Sequence, residues 1–244
     1  MELITTPIPV IPHNLRRIVL YAAPKIGKTT FCSMLAGNCL LDLEDGSDDV
    51  AMIKYKVHSF ADITEVSSLI IKANYPYKYI TIDTITELEN WCEQDATQMY
   101  MDSVIGKSFN RDDSGMLLPK GKQDSVLTLT QGGGYMWLRK SYNKWLARLN
   151  TLAPTLILIS HLKDKVLEKK GNEVSAKDLD LTGKIKSITS AHADAIGYMY
   201  RAGDSGEQLR ISFQSSDTVL CGARPAHLRG IDIEADWSKI FLNL

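Results

Sequence analysis

Two short runs in this sequence have residue types at spacings that suit phosphate chemistry. Residues 22–29 read Ala-Ala-Pro-Lys-Ile-Gly-Lys-Thr, which is G-x-x-x-x-G-K-[ST] with Ala22 in place of the first glycine. In such a loop, backbone N–H groups at a helix start cradle phosphates, where the helix dipole favours negative charge. The expected nucleotide contacts are therefore Ala23, Pro24, Lys25, Ile26, Gly27, Lys28, Thr29 and Thr30. Gly27 lets the main chain approach closely, Lys28 reaches the β- and γ-phosphates, and Thr29 offers its hydroxyl to Mg²⁺. Lys25 adds charge to the loop but reads as solvated.

The second run is Tyr79-Ile80-Thr81-Ile82-Asp83, an apolar strand ending in a carboxylate. This is the Walker B pattern, in which Asp83 joins Thr29 in holding Mg²⁺. A strand ending in Asp is common, but its place some fifty residues after a phosphate loop makes the pair specific. A third acidic group, in Leu40-Leu-Asp-Leu-Glu-Asp-Gly46, closes the strand after the loop's helix. It offers Asp42, Glu44 and Asp45 as bases for a water, with Glu87 one helical turn past Asp83 as another. An acidic turn closed by Gly46 would read the same way. His161, ending Leu156-Ile-Leu-Ile-Ser-His161, lies at a fourth strand end.

The elements that must position these groups follow from periodicity. Short apolar runs at 17–22, 39–43, 79–82 and 155–160 predict buried strands. Helical spacing predicts helices from Lys28 to about Asn38 and over 60–74, 85–101 and 135–152. Short alternating runs after Ala195 predict antiparallel strands. The expected fold is α/β: a mostly parallel central sheet with helices on both faces and C-terminal antiparallel strands. Residues 1–16 read as an N-terminal arm and 17–244 as one domain. The segments 102–134 and 162–186 read as irregular, glycine- or lysine-rich loops.

A 44% hydrophobic content allows a real core, and a net charge of −1 excludes a globally basic protein. No run suits a membrane helix, and no secretory signal opens the sequence. Cys32, Cys39, Cys92 and Cys221 are scattered, which suits buried thiols in the cytoplasm. Charge is nevertheless segregated. Residues 105–170 hold 12 Lys or Arg against 5 Asp or Glu, whereas residues 83–102 hold six acids and no base. Lys107, Arg111, Lys120, Lys122 and Arg139, with Lys163, Lys165, Lys169 and Lys170, form a set able to follow a nucleic-acid backbone. Tyr135 and Trp137, beside Gly132-Gly133-Gly134, are candidates to stack on bases, although Trp137 would also suit a helix core.

The phosphate loop, the Leu-Asp-Leu-Glu-Asp-Gly strand end and Ile82-Asp83-Thr84 resemble those of RecA-type recombinases. With Gly-Gly-Gly-Tyr135, Gly222-Ala-Arg-Pro225 and Asp236-Trp237, most of the chain is similar to phage single-strand annealing ATPases of the Sak4 type. The resemblance implies a RecA-like P-loop core that binds ATP and Mg²⁺, with Glu44 activating water and His161 sensing the γ-phosphate. It implies DNA-stimulated ATP hydrolysis, single-stranded DNA annealing or recombination in phage replication, and a place in the host bacterial cytoplasm. The implied partners are single-stranded DNA, a single-strand binding protein and further copies of the chain in a ring or filament, with Arg224 reaching a neighbour's site. The rivals are a P-loop small-molecule kinase, a non-hydrolysing switch, and a helicase loader or motor on the same core. No paired arginines mark a kinase lid.

Overall fold

The computed structural model describes residues 13–107, 109, 124–169, 172–242 and 244. Its frame is a mostly parallel sheet whose central strands are buried and largely apolar, because both faces are covered. Strand β1 (Arg17–Ala22) leads to helix α1 (Lys28–Ser33), then β2 (Asn38–Asp42) and a short β3 (Lys54–Lys56). Helix α2 (Phe60–Lys72) precedes β4 (Tyr79–Asp83), and α3 (Ile85–Met101) follows it. Next come α4 (Gly134–Leu149), β5 (Thr155–Lys169), β6 (Asn172–Leu179) and α5 (Gly183–His192). The chain ends with β7 (Ala195–Ala202), β8 (Gln208–Ser212), β9 (Gly222–Ala223), β10 (Asp232–Glu234) and α6 (Trp237–Ile240).

The strand order is β10-β8-β7-β1-β5-β4-β2-β3, with β6 on β5 and β9 on β7. From β7 to β3 every neighbour is parallel, so the carboxyl ends of β1, β5, β4 and β2 share one edge. Strand β5 stands between the strand of the phosphate loop and the strand ending in Asp83, a RecA-like order. Side chains alternate across the sheet. Val19, Tyr21, Ile80, Ile82, Leu156 and Leu158 pack in one core with α2, α3 and α4. Ile18, Leu20, Ile157 and Ile159 pack in the other with Phe31, Trp237 and Phe241.

Several sequence expectations change in detail. Helix α1 stops at Ser33, and Asn38 already belongs to β2. Strand β7 is parallel to β1, and the antiparallel pairs of the C-terminal part are β7–β8, β7–β9 and β8–β10. The segment 162–186 is not a loop: β5 runs on to Lys169 and pairs antiparallel with β6. Its polar sequence hides a ribbon in which Asp164 and Lys177 stand directly opposite and form an ion pair. Leu15, assigned to the arm, is buried in the second core. All four cysteines are free and buried.

Candidate nucleotide site and groove

Ala22 is the last residue of β1 and still has strand geometry, so the missing first glycine costs nothing there. The left-handed positions come later, at Lys25 (φ 61°) and Gly27 (φ 108°). Only the second is a glycine, where that backbone is unstrained. Lys25 is exposed, as its reading as a solvated residue expects.

Lys28 is buried, its ammonium bonded to the carbonyl of Ala23 at 3.0 Å and that of Ala22 at 3.4 Å. Burial lowers its pKa, while Asp83 and Glu44 pull it back up. The lysine charge is thus held inside the loop, facing two acids. Thr29 Oγ1 donates to Asp83 Oδ2 at 2.7 Å. Burial raises the Asp83 pKa against the lowering effect of Thr29 and Lys28. A buried carboxyl and a hydroxyl already in contact are two hard oxygen donors. They fit Mg²⁺, which takes one or two protein oxygens and fills its remaining positions with phosphate and water. The fit needs no larger cluster, and none of three or more His, Cys, Asp or Glu occurs among the described residues.

The three acids after β2 separate by their partners. Asp42 accepts from the backbone N–H groups of Glu44, Gly46 and Ser47 and from the Ser47 hydroxyl, so it builds the turn. Asp45 turns to the β3 side, near Lys56 and His58 at 3.5 Å each. Glu87 accepts from Trp91 Nε1 and Asn90 on its own helix. Glu44 alone of the four faces the site. It accepts from His161 Nε2 at 2.9 Å and from the Thr84 hydroxyl, and it acts on the Lys28 charge. Thr84 also caps α3 by accepting from the Glu87 N–H. His161 contacts Glu44 from a position level with Ala22 on β1.

Arg224 does not reach this edge in its own subunit. Its N–H donates to the carbonyl of Asp194, and its side chain lies 3.8 Å from that carboxylate. Asp194 accepts from the N–H groups of Arg16 and Arg17, at the opposite end of β1. Sequence reasoning missed Arg201 on β7, whose guanidinium donates to the Ile26 carbonyl within the loop. No motif contains it, and only the pairing of β7 with β1 brings it there.

The lysine-rich segments also sort themselves. Tyr135, Arg139 and Lys163 line one open groove of about 620 Å³ with Gly132, Thr182 and Lys184. Tyr135 is exposed, whereas Trp137 packs on the core and meets Tyr100 edge-on at 5.7 Å. The packing of Trp137 favours the core alternative for it over base stacking. Lys163 is ion-paired with Asp180 at 3.0 Å. Lys107 is exposed just past α3, and Lys165 and Lys169 lie on the β5 extension. Arg111, Lys120, Lys122 and Lys170 lie outside the described residues.

Residues 14–224 match the model of the AAA_24 family, described as an AAA domain. No curated protein matches the chain. Distant likenesses to solved structures include an ATPase domain at 13% identity, covering 94% of this chain and 86% of that one with a TM-score of 0.47. The RadB recombinase is 9% identical, with coverage of 91% and 87% and a TM-score of 0.46. A KaiC-like protein of the archaeon Pyrococcus horikoshii is 12% identical, with coverage of 89% and 83% and a TM-score of 0.44.

Proposed function

The chain belongs to the AAA_24 family and is a nucleotide-dependent ATPase, and from the geometry of its site we propose that it hydrolyses ATP in response to single-stranded DNA. The observation that carries this reading is the continuity of β5. Its residue His161 holds Glu44 at the ATP site, and two residues further Lys163 lines the basic groove. A DNA strand seated in that groove acts on the same strand that holds the base.

Thr29 and Asp83 would hold Mg²⁺, which supplies charge neutralisation at the phosphates when bound. Lys28 leaves the Ala22 and Ala23 carbonyls for the phosphate oxygens, which are better acceptors for an ammonium. Glu44 accepts a proton from the water as its oxygen bonds to the terminal phosphorus, and the bond from that phosphorus to the bridging oxygen breaks to release ADP. To do so its carboxylate must give up part of its contact with His161.

In the groove, Tyr135 offers a ring face to a base, and Arg139, Lys163 and Lys184 offer charge to the backbone. Asp180, which neutralises Lys163 in the free protein, is displaced in this reading by a DNA phosphate. The wider reading is an annealing or recombination ATPase of phage replication, acting with a single-strand binding protein in the host cytoplasm. Arg224 fits it as a residue acting in trans. It is exposed at the sheet end opposite the loop, so it meets a neighbour's site when subunits associate head to tail.

The test is ATP turnover with and without single-stranded DNA, in wild type and Lys28→Ala. Turnover that rises with DNA and is lost in the variant supports the proposal. Turnover of the wild type that DNA leaves unchanged would sink the DNA half and leave the ATPase.

A further inference from the structure

Arg201 occupies a position that the loop's own residues do not explain. It lies near the end of β7, on the flank of β1 away from β5 and β4. Its Nε and Nη2 donate to the Ile26 carbonyl at 3.2 and 3.0 Å, and Nη1 donates to the Glu207 carbonyl at 3.3 Å. Nη2 stands so close over the loop that a Cβ on Gly27 would lie 3.4 Å from it. Every hydrogen bond its side chain makes among the described residues goes to a main-chain carbonyl, and none goes to a carboxylate. The side chain is exposed, although its head group is fixed by two segments of backbone. A guanidinium carries five N–H donors, so three such bonds leave donors and a planar face open to a ligand.

The two flanks of the loop differ in charge. On the β5 and β4 side, Asp83, Glu44 and His161 surround Lys28, and the terminal phosphate must lie among the groups that hydrolyse it. On the β7 side an immobilised cation, with no ion-pair partner among the described residues, leans over Ile26 and Gly27. A nucleotide whose terminal phosphate is at the first flank leaves the loop towards the second.

We propose that Arg201 is a nucleotide-binding residue supplied by the same subunit, contacting the base-proximal phosphate of ATP and ADP alike. It sets affinity for the nucleotide and takes no part in cleavage of the terminal phosphate. This assignment rests on the reading of residues 22–29 as an ATP loop. It differs from the trans role of Arg224, since the two arginines lie at opposite ends of the sheet.

The experiment is equilibrium binding of methylanthraniloyl-ADP and methylanthraniloyl-ATP to the full chain. It compares wild type, Arg201→Gln, Arg201→Lys and Lys28→Ala, each checked for folding by its melting curve. Gln keeps a donor for the Ile26 carbonyl but loses the charge, whereas Lys keeps the charge. Arg201→Gln is expected to weaken both nucleotides by about tenfold or more, the scale of one charge-assisted hydrogen bond. Arg201→Lys should recover part of the loss, and in both variants the loss should appear in KM more than in kcat. Wild-type affinity in Arg201→Gln would show that the arginine only clasps the loop, and the proposal would fall alone. Weakening confined to ATP would overturn it too, because the residue would then address the terminal phosphate. A wild type that bound neither nucleotide would overturn the ATP reading and this proposal together.

Discussion

Glu44, just past β2, and His161, within β5, hydrogen-bond across two strands that are not neighbours. His161 Nε2 lies 2.9 Å from Glu44 Oε1 and 3.1 Å from Oε2, yet β4 runs between β5 and β2. Thr84, directly after β4, fills the gap and donates to the same Oε1. The carboxylate is therefore held from two sides and interacts with the Lys28 charge. One of its two hydrogen bonds comes from the strand that reaches the groove.

Glu44→Gln is expected to lower ATP turnover by about 10²- to 10⁴-fold, the range for a positioned base, with nucleotide binding retained. Asp45→Asn should leave turnover within about twofold, because Asp45 faces Lys56 and His58. Phosphate release measured beside nucleotide binding decides the matter. Equal losses in both variants would remove Glu44 from its role.

The same pair makes stability depend on pH with a definite sign. The hydrogen bond to Glu44 raises His161 above its ordinary 6.5, against burial and the Lys28 charge, with Asp83 adding to the rise. Burial, the largest influence on Glu44, pushes its carboxyl up, but the bonds from His161 and Thr84 and the charges of His161 and Lys28 bring it below 4.5. The histidine's contribution is full below its unfolded value and fades as pH rises through its raised folded value. That of the glutamate is full above its unfolded value and fades as pH falls through its lowered folded value. The difference in melting temperature between wild type and His161→Gln, without nucleotide, should thus be widest near pH 5–6 and shrink by pH 8. A difference that stays flat over this range would contradict an ionic pair.

The strands carrying these groups were legible because buried parallel strands read as unbroken apolar runs, and Arg17–Ala22 and Tyr79–Asp83 end as their residues suggest. Lys28, Thr29 and Asp83 were legible because phosphate chemistry restricts both their types and their spacing. Glu44 is preferred over Asp42 and Asp45 in the sequence only through the resemblance to RecA-type recombinases, since the residues alone offer three acids within one turn. The partners that occupy Asp42 and Asp45 set Glu44 apart in the structure. The β5–β6 ribbon was hidden because runs such as Lys163-Asp164-Lys165 and Lys177-Asp178 are polar and lack an apolar alternation. Arg201 was hidden because pairing between strands far apart in sequence leaves no local trace.

Tyr135 and Trp137 are two residues apart on α4 but should fail in different ways. Tyr135→Ala is expected to weaken single-stranded DNA binding by about tenfold, since stacking on one base contributes roughly 1–3 kcal/mol, with little change in melting temperature. Trp137→Ala should lower the melting temperature instead, because the ring packs on the core against Tyr100. Fluorescence anisotropy with a labelled oligonucleotide, alongside thermal melts, separates the two. Arg139→Glu should weaken binding further and flatten its salt dependence, as one phosphate contact is removed. A Tyr135→Ala variant with unchanged affinity would move the DNA away from this groove.

Trp237 ties the far end of the chain to the loop's helix. Its ring stacks on Phe31 at 4.2 Å, and its Nε1 donates to the Phe31 carbonyl at 2.8 Å. Phe31 O lies in the last turn of α1, where it also accepts from the Met34 N–H at 3.2 Å. Trp237→Phe keeps most of the stacking and leaves that carbonyl with less support, at a cost of about 1 kcal/mol. Trp237→Ala opens a cavity beneath α1 and should cost about 3–5 kcal/mol. Because α1 carries Lys28 and Thr29, the alanine variant should also bind ATP more weakly, whereas the phenylalanine variant should bind it nearly as well as wild type. Denaturant melts with and without ATP test this. Equal stability of the two variants would show that the ring's hydrogen bond, and not its packing, is what supports the helix.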